Sequence, residues 1–549
     1  MRRHAYFEST IYNDLGSALL GMNARFSGRT ALTWFERGGE AGSRTYGELA
    51  ADSAAFAAAL EREGLAGRSI AIVSENSYEW LWAFFGITAS GGVCVMVDVE
   101  QTAETLCSMI KRAKAELAIA SYTVAPLIKN MLDIPIITIG SAPGLRTIEE
   151  FTMRNPAQDG ENLAWLATRA PSPDSVAAIA YTSGTSSLPK PVMLTQRGIA
   201  LDASEATAMV RPTEKVFSPL PLYHTYGLTC GALCILFHGS NLGLNGDVKR
   251  MTRDLALFDP EILMAVPLIV EMLHAKLSHE MEQEGCGKAL KAGLAWFRLL
   301  KTFGISKPMR SLSAFKKKKI GSLQTIVCGG AHLSRRVARE MPAFGIRVLE
   351  GYGITECSPL VAVNRAGANT PHSAGLPLPC CKVKLVNGEI LVSGPTLMAG
   401  YFEDEKATAA QMEGEWFKTG DMGRLDKRGF LHITGRKKNL IVLKNGKKIA
   451  PEEIESYVME LPLVREVMAY GAPSGESADD VRLAVTIFPD EASAEGMTSY
   501  EVLEQLQRGV DKLNSNLPAY KQIHLVNVSS KELDKTSSNK IKRTEARNA

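Results

Sequence analysis

Between Ser69 and Lys114 the chain alternates in a way that few folds accommodate. Ser69-Ile70-Ala71-Ile72-Val73 reads as a buried strand, Ser77–Ser90 as a helix, Val93–Val97 as a second buried strand and Ala103–Lys114 as a helix. Strands apolar on both faces and separated by helices build a parallel sheet with helical crossovers, and such sheets collect ligands at the carboxyl ends of their strands. The uncharged run Trp80–Val97 is about as long as a short membrane span. Ser90-Gly91-Gly92 in its middle is a helix stop, so the run is expected to be helix, turn and strand. Upstream, Leu32–Phe35 reads as a strand and Thr45–Glu63 as an alanine-rich amphipathic helix.

A chain of 549 residues exceeds one ordinary core, so at least two domains are expected. A second alternating block runs from about 176 to 350, and a helical stretch between Glu271 and Ala314 ends in Lys316–Lys319, read as a solvated turn or, with Trp296, as a membrane-surface contact. After residue 372 short β-like pieces take over. Past Gly435-Arg436 the pattern is a compact α+β one with a basic tail. The expected division is 1–435 and 436–549.

Composition narrows the function. Sixty-two basic against 59 acidic residues leave a formal +3, which argues against a general nucleic-acid binder. Nine scattered cysteines without paired metal spacing read as buried thiols in a reducing compartment, not as a zinc site. Glu8, Asn13 and Asp14 interrupt any apolar leader after Met1-Arg2-Arg3, so a cytoplasmic location is expected, with peripheral membrane contact the minority reading.

Four stretches carry chemistry. Tyr181-Thr182-Ser183-Gly184-Thr185-Ser186-Ser187-Leu188-Pro189-Lys190 follows the apolar run Val176–Ala180, so its hydroxyls and backbone N–H groups lie in a loop at a strand end, with Lys190 adding positive charge. That is a phosphate loop or an ordinary solvated connection; it is not a Walker A loop, because Gly184 has no second glycine before the lysine. Cys328-Gly329-Gly330-Ala331 closes a second apolar run. Gly351-Tyr352-Gly353-Ile354-Thr355-Glu356 follows Ile346–Leu349 and sets an aromatic face beside a hydroxyl and a carboxylate, or else is a strand-end turn with an exposed acid. Thr419-Gly420-Asp421 places a carboxylate on a glycine turn, suited to ribose hydroxyls or to an Asx turn.

The phrase YTSGTSSLPKPVMLT, with GYGITE, Asp421 and Gly435-Arg436 in that order, resembles the adenylate-forming superfamily of acyl-CoA synthetases, peptide-synthetase adenylation domains and luciferases. The resemblance covers nearly the whole chain. It implies an α/β fold: a large N-terminal domain of doubly wound sheets with a small β-barrel-like part, and a mobile α+β C-terminal domain. It also implies that Thr182, Ser183, Gly184, Thr185, Ser186 and Lys190 cradle ATP phosphates, with Gly329, Gly330, Ala331, Gly351 and Gly353 flanking the nucleotide. In the same pattern Tyr352 stacks on adenine, Thr355 contacts phosphate and Glu356 holds Mg²⁺. Asp421 and Arg436 bind the ribose, His224 lies near the carboxylate pocket, Lys540 reaches the reacting carboxylate, and Lys438 is the hinge that brings the Gly446 loop to the site for the CoA step.

Ser187 and Pro191 stand where the family commonly has glycine, Gln196 replaces a frequent histidine, and Asn539 precedes Lys540 in place of glycine. None removes a group the chemistry needs, so activity is expected. The phrase Ala265–Glu271 and the helical insert after it resemble the long-chain fatty acyl-CoA synthetase branch. The implied activity is an AMP-forming fatty acid–CoA ligase using ATP, Mg²⁺ and CoA. An acyl carrier protein as acceptor, or a catalytically silent nucleotide-binding regulator, are the alternatives.

Overall fold

In the computed structural model the described residues are 6–35, 38–39, 41–182, 189–245, 248–303, 307–443, 447–473, 481–490, 493–534 and 543. The alternation after Ser69 becomes an eight-stranded sheet among these residues. Its order is Gly400–Tyr401, Pro191–Thr195, Val176–Tyr181, Val93–Met96, Ser69–Val73, Leu117–Ser121, Ile136–Ile139, Arg146–Thr147. From Val176–Tyr181 to the Arg146 edge every neighbour is parallel, while Pro191–Thr195 pairs antiparallel with Val176–Tyr181 on one side and with Gly400–Tyr401 on the other.

Local signals explain the helices packed on this sheet. Thr45 and Glu48 form a reciprocal capping box that starts helix Tyr46–Arg62. Ser77 accepts the Trp80 N–H to start Tyr78–Ala89, in which Glu79 alone is not buried. A helix apolar on every side is stable only inside a core, and Trp80, Phe84 and Phe85 are fully buried there. Burying side chains of this size stabilises by roughly 2–3 kcal/mol each. The run from Trp80 is thus helix, turn and strand, and no helix among the described residues is long and apolar enough to cross a membrane.

The second block forms a nine-stranded sheet whose centre is parallel: Arg347–Gly353, Thr325–Cys328, Ile262–Ala265, Lys215–Ser218, Asn241–Leu244 and Thr30–Phe35. Strand Thr30–Phe35 crosses from the N-terminus to join it, so both sheets share one core. The apolar stretch after Leu228 lies in a π-helical segment, Tyr226–Leu233, followed by helix Cys234–His238. Helices Pro267–Gln283, Gly287–Thr302 and Arg310–Ile320 occupy the long helical stretch.

Two expectations need correction here. Lys316–Lys319 do not form a solvated turn; they close helix Arg310–Ile320, and Lys316 is buried with its Nζ donating to the Leu323 and Gly321 carbonyls. Gly351, Tyr352 and Gly353 lie inside strand Arg347–Gly353, antiparallel to Leu360–Val363, and not in a turn beyond it.

The β-barrel-like part is a five-stranded antiparallel sheet built on Glu389–Ser393 and Trp416–Leu425, with Leu431–Arg436 pairing the latter. Beyond it, helices Pro451–Val458 and Ser499–Asn514 pack on strands Val464–Pro473, Val481–Pro489 and Leu525–Val528 around Ile454, Val485 and Val510. This part touches the larger one where the Arg335 guanidinium lies 5.0 Å over the Tyr457 ring and Arg339 pairs with Glu460 at 3.6 Å. All nine cysteines are free thiols.

Candidate active site

Strands Val176–Tyr181 and Pro191–Thr195 make a hairpin, so the Ser/Thr/Gly segment is its loop. Ser183, Gly184, Thr185 and Ser186 lie outside the described residues. The stem is closed twice: the Thr182 N–H donates to the Lys190 carbonyl at 3.1 Å, and the Lys190 N–H to Thr182 Oγ1 at 3.2 Å. Edge strand Gly400–Tyr401 pairs with Val192 and Met193 and thereby delivers Tyr401 to the mouth of the loop. The Lys190 ammonium sits 4.8 Å over the Tyr401 ring, whose hydroxyl donates to Glu356 Oε1 at 2.9 Å. Burial, and then the Glu356 charge, raise the Tyr401 hydroxyl pKa, so it stays a donor at neutral pH.

Glu356 belongs to the turn Thr355–Cys357, and its carbonyl accepts the Met398 N–H at 2.8 Å. The turn and the edge strand are therefore fixed to each other. Among the described residues no group of three His, Cys, Asp or Glu could hold a metal alone. Glu356 offers one partly exposed carboxylate with lone pairs left over from the Tyr401 bond. That donor set fits a magnesium ion that arrives on a polyphosphate and keeps its other oxygens from phosphate and water.

A second cluster lies on strand Arg347–Gly353 and the small sheet. Tyr352 is partly exposed, and its hydroxyl donates to Asp421 Oδ2 at 2.6 Å; Arg436 Nε contacts Asp421 Oδ1 at 2.8 Å. Asp421 is 2% exposed. It does not sit on a turn: it lies within strand Trp416–Leu425, directly across the ladder from Arg436, with Gly420 in the left-handed region beside it. Its N–H donates to Thr419 Oγ1, which itself donates to the Ile390 carbonyl. Gly353 is required by close approach, since a Cβ there would stand 2.3 Å from the Pro359 carbonyl oxygen. Lys438 follows Arg436 in the short turn Lys437–Asn439.

The third wall is glycine. Gly329 follows strand Thr325–Cys328 and donates its N–H to the Ala265 carbonyl; a Cβ on it would meet the Tyr226 ring at 3.2 Å. Gly330 has φ +87°, and Ala331 and His332 follow, with burial lowering the His332 pKa. The Tyr226 hydroxyl donates toward the Val327 and Ala265 carbonyls, tying the π-helical segment to this wall. His224 opens that segment, its ring centre 4.8 Å from that of Tyr223.

Of the expected residues, Lys190 and Glu356 are brought together through Tyr401, and Tyr352, Asp421 and Arg436 form one hydrogen-bonded unit. Gly446 and Lys540 lie outside the described residues. Tyr401 was not singled out in the sequence: only its pairing with the hairpin, over two hundred positions away, marks it.

The profile of the AMP-binding enzyme family matches residues 22–402, and that of the AMP-binding enzyme C-terminal domain matches 438–549. A long-chain-fatty-acid–CoA ligase of Mycobacterium bovis is 30% identical over 438 residues, covering 74% of this chain and 71% of that protein. One from Escherichia coli O6:H1 is 27% identical over 555 residues, covering 92% of this chain and 89% of its own. Among solved structures, the anthranilate CoA ligase AuaEII in complex with anthranoyl-AMP superposes with a TM-score of 0.77 at 21% identity, over 98% of this chain and 97% of that one. At that identity the likeness is one of fold.

Proposed function

This chain belongs to the AMP-binding enzyme family, and from that premise we propose that it activates a carboxylic acid, a medium- or long-chain fatty acid, as an acyl-adenylate and transfers it to CoA. The observation that carries the reading is the placing of Lys190 over the ring of Tyr401 and of Glu356 at its hydroxyl, at the mouth of the hairpin loop. An ammonium and a carboxylate kept out of a mutual ion pair leave both charges for a polyphosphate and its metal.

In the first half-reaction the substrate carboxylate attacks the α-phosphorus of ATP, and pyrophosphate leaves. The nucleophile is already ionised, so neutralising and orienting charge is the main task of the protein. Thr182, Ser183, Gly184, Thr185, Ser186 and Lys190 hold the phosphates, and Thr355 adds a hydroxyl. Glu356 is the ligand for magnesium, which when bound offsets phosphate charge. Tyr352 offers its ring to the adenine, Asp421 with Arg436 takes the ribose hydroxyls, and Gly329, Gly330 and Ala331 let nucleotide and acyl group approach the backbone. His224 borders the acid pocket and Lys540 bridges the carboxylate and the α-phosphate.

In the second half-reaction the CoA thiol attacks the acyl carbonyl and AMP departs. One lysine serves the two steps poorly. The division 1–435 and 436–549, with Lys438 as hinge, lets the C-terminal domain withdraw Lys540 and present the Gly446 loop.

The test is pyrophosphate release from Mg-ATP with short, medium and long fatty acids and aryl acids, with and without CoA, for wild type and Lys540→Ala. Release with fatty acids, completed to thioester by CoA and reduced at least a hundredfold by Lys540→Ala, is the expected result. Preference for aryl acids would move the substrate, bound adenylate without thioester would move the acceptor to a carrier protein, and silence with every acid would overturn the activity.

A further inference from the structure

Helix Gly287–Thr302 is packed on one side and bare on the other. Leu290 and Phe297 are buried beneath it, whereas Lys288, Ala292, Ala295, Trp296, Leu299 and Phe303 recur at spacings of three and four along its outer face. Trp296 is 56% exposed, Leu299 49% and Phe303 75%. Single exposed apolar side chains are ordinary, but three large ones in a row on an amphipathic helix mark a contact surface. The neighbouring helix Pro267–Gln283, joined to it by 284–286, exposes Leu268 and Met272 at its start.

Charge identifies the occupant. Residues 287–320 contain ten lysines and arginines and no aspartate or glutamate. The lysine run supplies little of the free charge: Lys316 is buried, and Lys318 and Lys319 pair with Glu284 and Glu280. Exposed Lys288, Lys291, Lys307, Arg310 and Lys317 make no ion pair among the described residues. We propose that this face docks on an anionic phospholipid bilayer, with Trp296, Leu299 and Phe303 in the acyl–headgroup boundary and the lysines on headgroup phosphates. A second copy would also cover the stripe, but a self-complementary interface would bring these basic clusters against each other.

The face also stands close to the glycine wall. Helix Pro267–Gln283 springs from Val266, whose Cγ1 is the nearest atom, at 3.7 Å, to a Cβ built on Gly330. A fatty acid drawn from a bilayer under these two helices would meet the protein beside that wall, a link that rests on the function proposed above; the surface itself does not.

The experiment is flotation of the full-length protein with phosphatidylcholine vesicles, with and without phosphatidylglycerol. Wild type is expected to partition at least tenfold better onto the anionic vesicles, less so as salt rises. The triple variant Trp296→Ser, Leu299→Ser, Phe303→Ser and the double variant Lys288→Glu, Lys291→Glu should each lose at least tenfold with unchanged melting, because every substituted side chain is exposed. Trp296 is the one exposed tryptophan among the described residues, so bromine-labelled lipid should quench wild-type emission and not that of Trp296→Phe, which still floats. Failure of wild type to bind, or a triple variant that floats as well as wild type, overturns the proposal. A concentration-dependent dimer abolished by the triple variant would assign the stripe to a second copy. Vesicle binding needs no turnover, so loss of the ligase reading and loss of this surface are seen separately.

Discussion

The two polar clusters of the site are built in opposite senses. At Asp421 the charge is at the centre: the carboxylate is buried, and its partners, Tyr352 and Arg436, reach outward and are partly exposed. At Tyr401 the centre is a neutral phenol, 6% exposed, and the charges of Lys190 and Glu356 stand partly exposed beside it. A buried carboxylate held by Arg436 across the ladder and by Tyr352 from another sheet is a fixed fitting, costly to disturb. Two partly exposed charges, one over the ring and one at its hydroxyl, keep contact with water and can exchange it for a ligand's charge. The first cluster suits a part of the ligand that does not change, and the second the part that reacts.

Asp421→Ala should therefore be the most damaging single change. It removes the shared acceptor of Tyr352 and Arg436 together, and we expect a loss of roughly 3–5 kcal/mol in urea denaturation. ATP affinity by calorimetry should fall at least tenfold. Asp421→Asn, which still accepts from Tyr352, should recover part of the stability and little of the binding. Equal stability of wild type and Asp421→Ala would mean that the buried cluster is no fixed fitting.

A largely enclosed carboxyl on strand Arg347–Gly353, Glu350, shows what happens without a cation at contact distance. Burial raises Glu350 from 4.5 to about 7, against the His372 N–H it accepts at 3.3 Å. Its folded pKa is above its unfolded one, so the native state holds the extra proton and stability falls as pH rises from about 4.5 to 7. Glu350→Gln should abolish that fall: little changed at pH 5, and more stable than wild type at pH 8 by about 3 kcal/mol. His372, lowered from 6.5 to about 4 first by burial, acts the other way and gains stability across about 4 to 6.5, so the variant should expose a rise that wild type masks. Parallel stability–pH curves for variant and wild type would rule this out.

The two phenols give a direct contrast with one chemical change. Tyr352→Phe leaves Asp421 Oδ2 buried without its donor and should cost about 1–3 kcal/mol. Tyr401→Phe leaves Glu356 able to take water, so under about 1 kcal/mol is expected, while KM for Mg-ATP shifts several-fold because the Glu356 carboxylate is no longer oriented. If Tyr401→Phe proves the more destabilising of the two, the assignment of fixed and exchangeable clusters is reversed.

These contrasts were unevenly visible in the sequence. Ser69–Val73 and Val93–Met96 were legible because strands buried on both faces are apolar throughout. Asp421 and Arg436 were legible as members of a motif series, but not as cross-strand neighbours, since residue type does not reveal register. Glycine density suggested turns at 351–353 and 420–421, yet close strand approach, as at Gly353, asks for the same residue. Tyr401 lay in a two-residue edge strand, too short for any periodicity. The run of four lysines looked solvated because the Glu280 and Glu284 that neutralise two of them lie on another helix and just past its end.

The smallest effect concerns how firmly the C-terminal part is seated. Arg339 and Glu460 face each other at 3.6 Å with 48% and 37% of their side chains exposed. Water screens such a pair, so Arg339→Ala should cost under about 0.5 kcal/mol in global stability. The proposed swing about Lys438 must break this contact together with that of Arg335 on Tyr457, and a weaker seat lowers the cost of leaving. With the two half-reactions timed separately, adenylation in Arg339→Ala should be unchanged or slightly slower and thioester formation up to about twofold faster, since a loss of at most 0.5 kcal/mol allows little more than that. Both steps slowed equally would mean that Arg339 steadies the fold and takes no part in the seat, and the C-terminal part would then have to be held by contacts other than this pair.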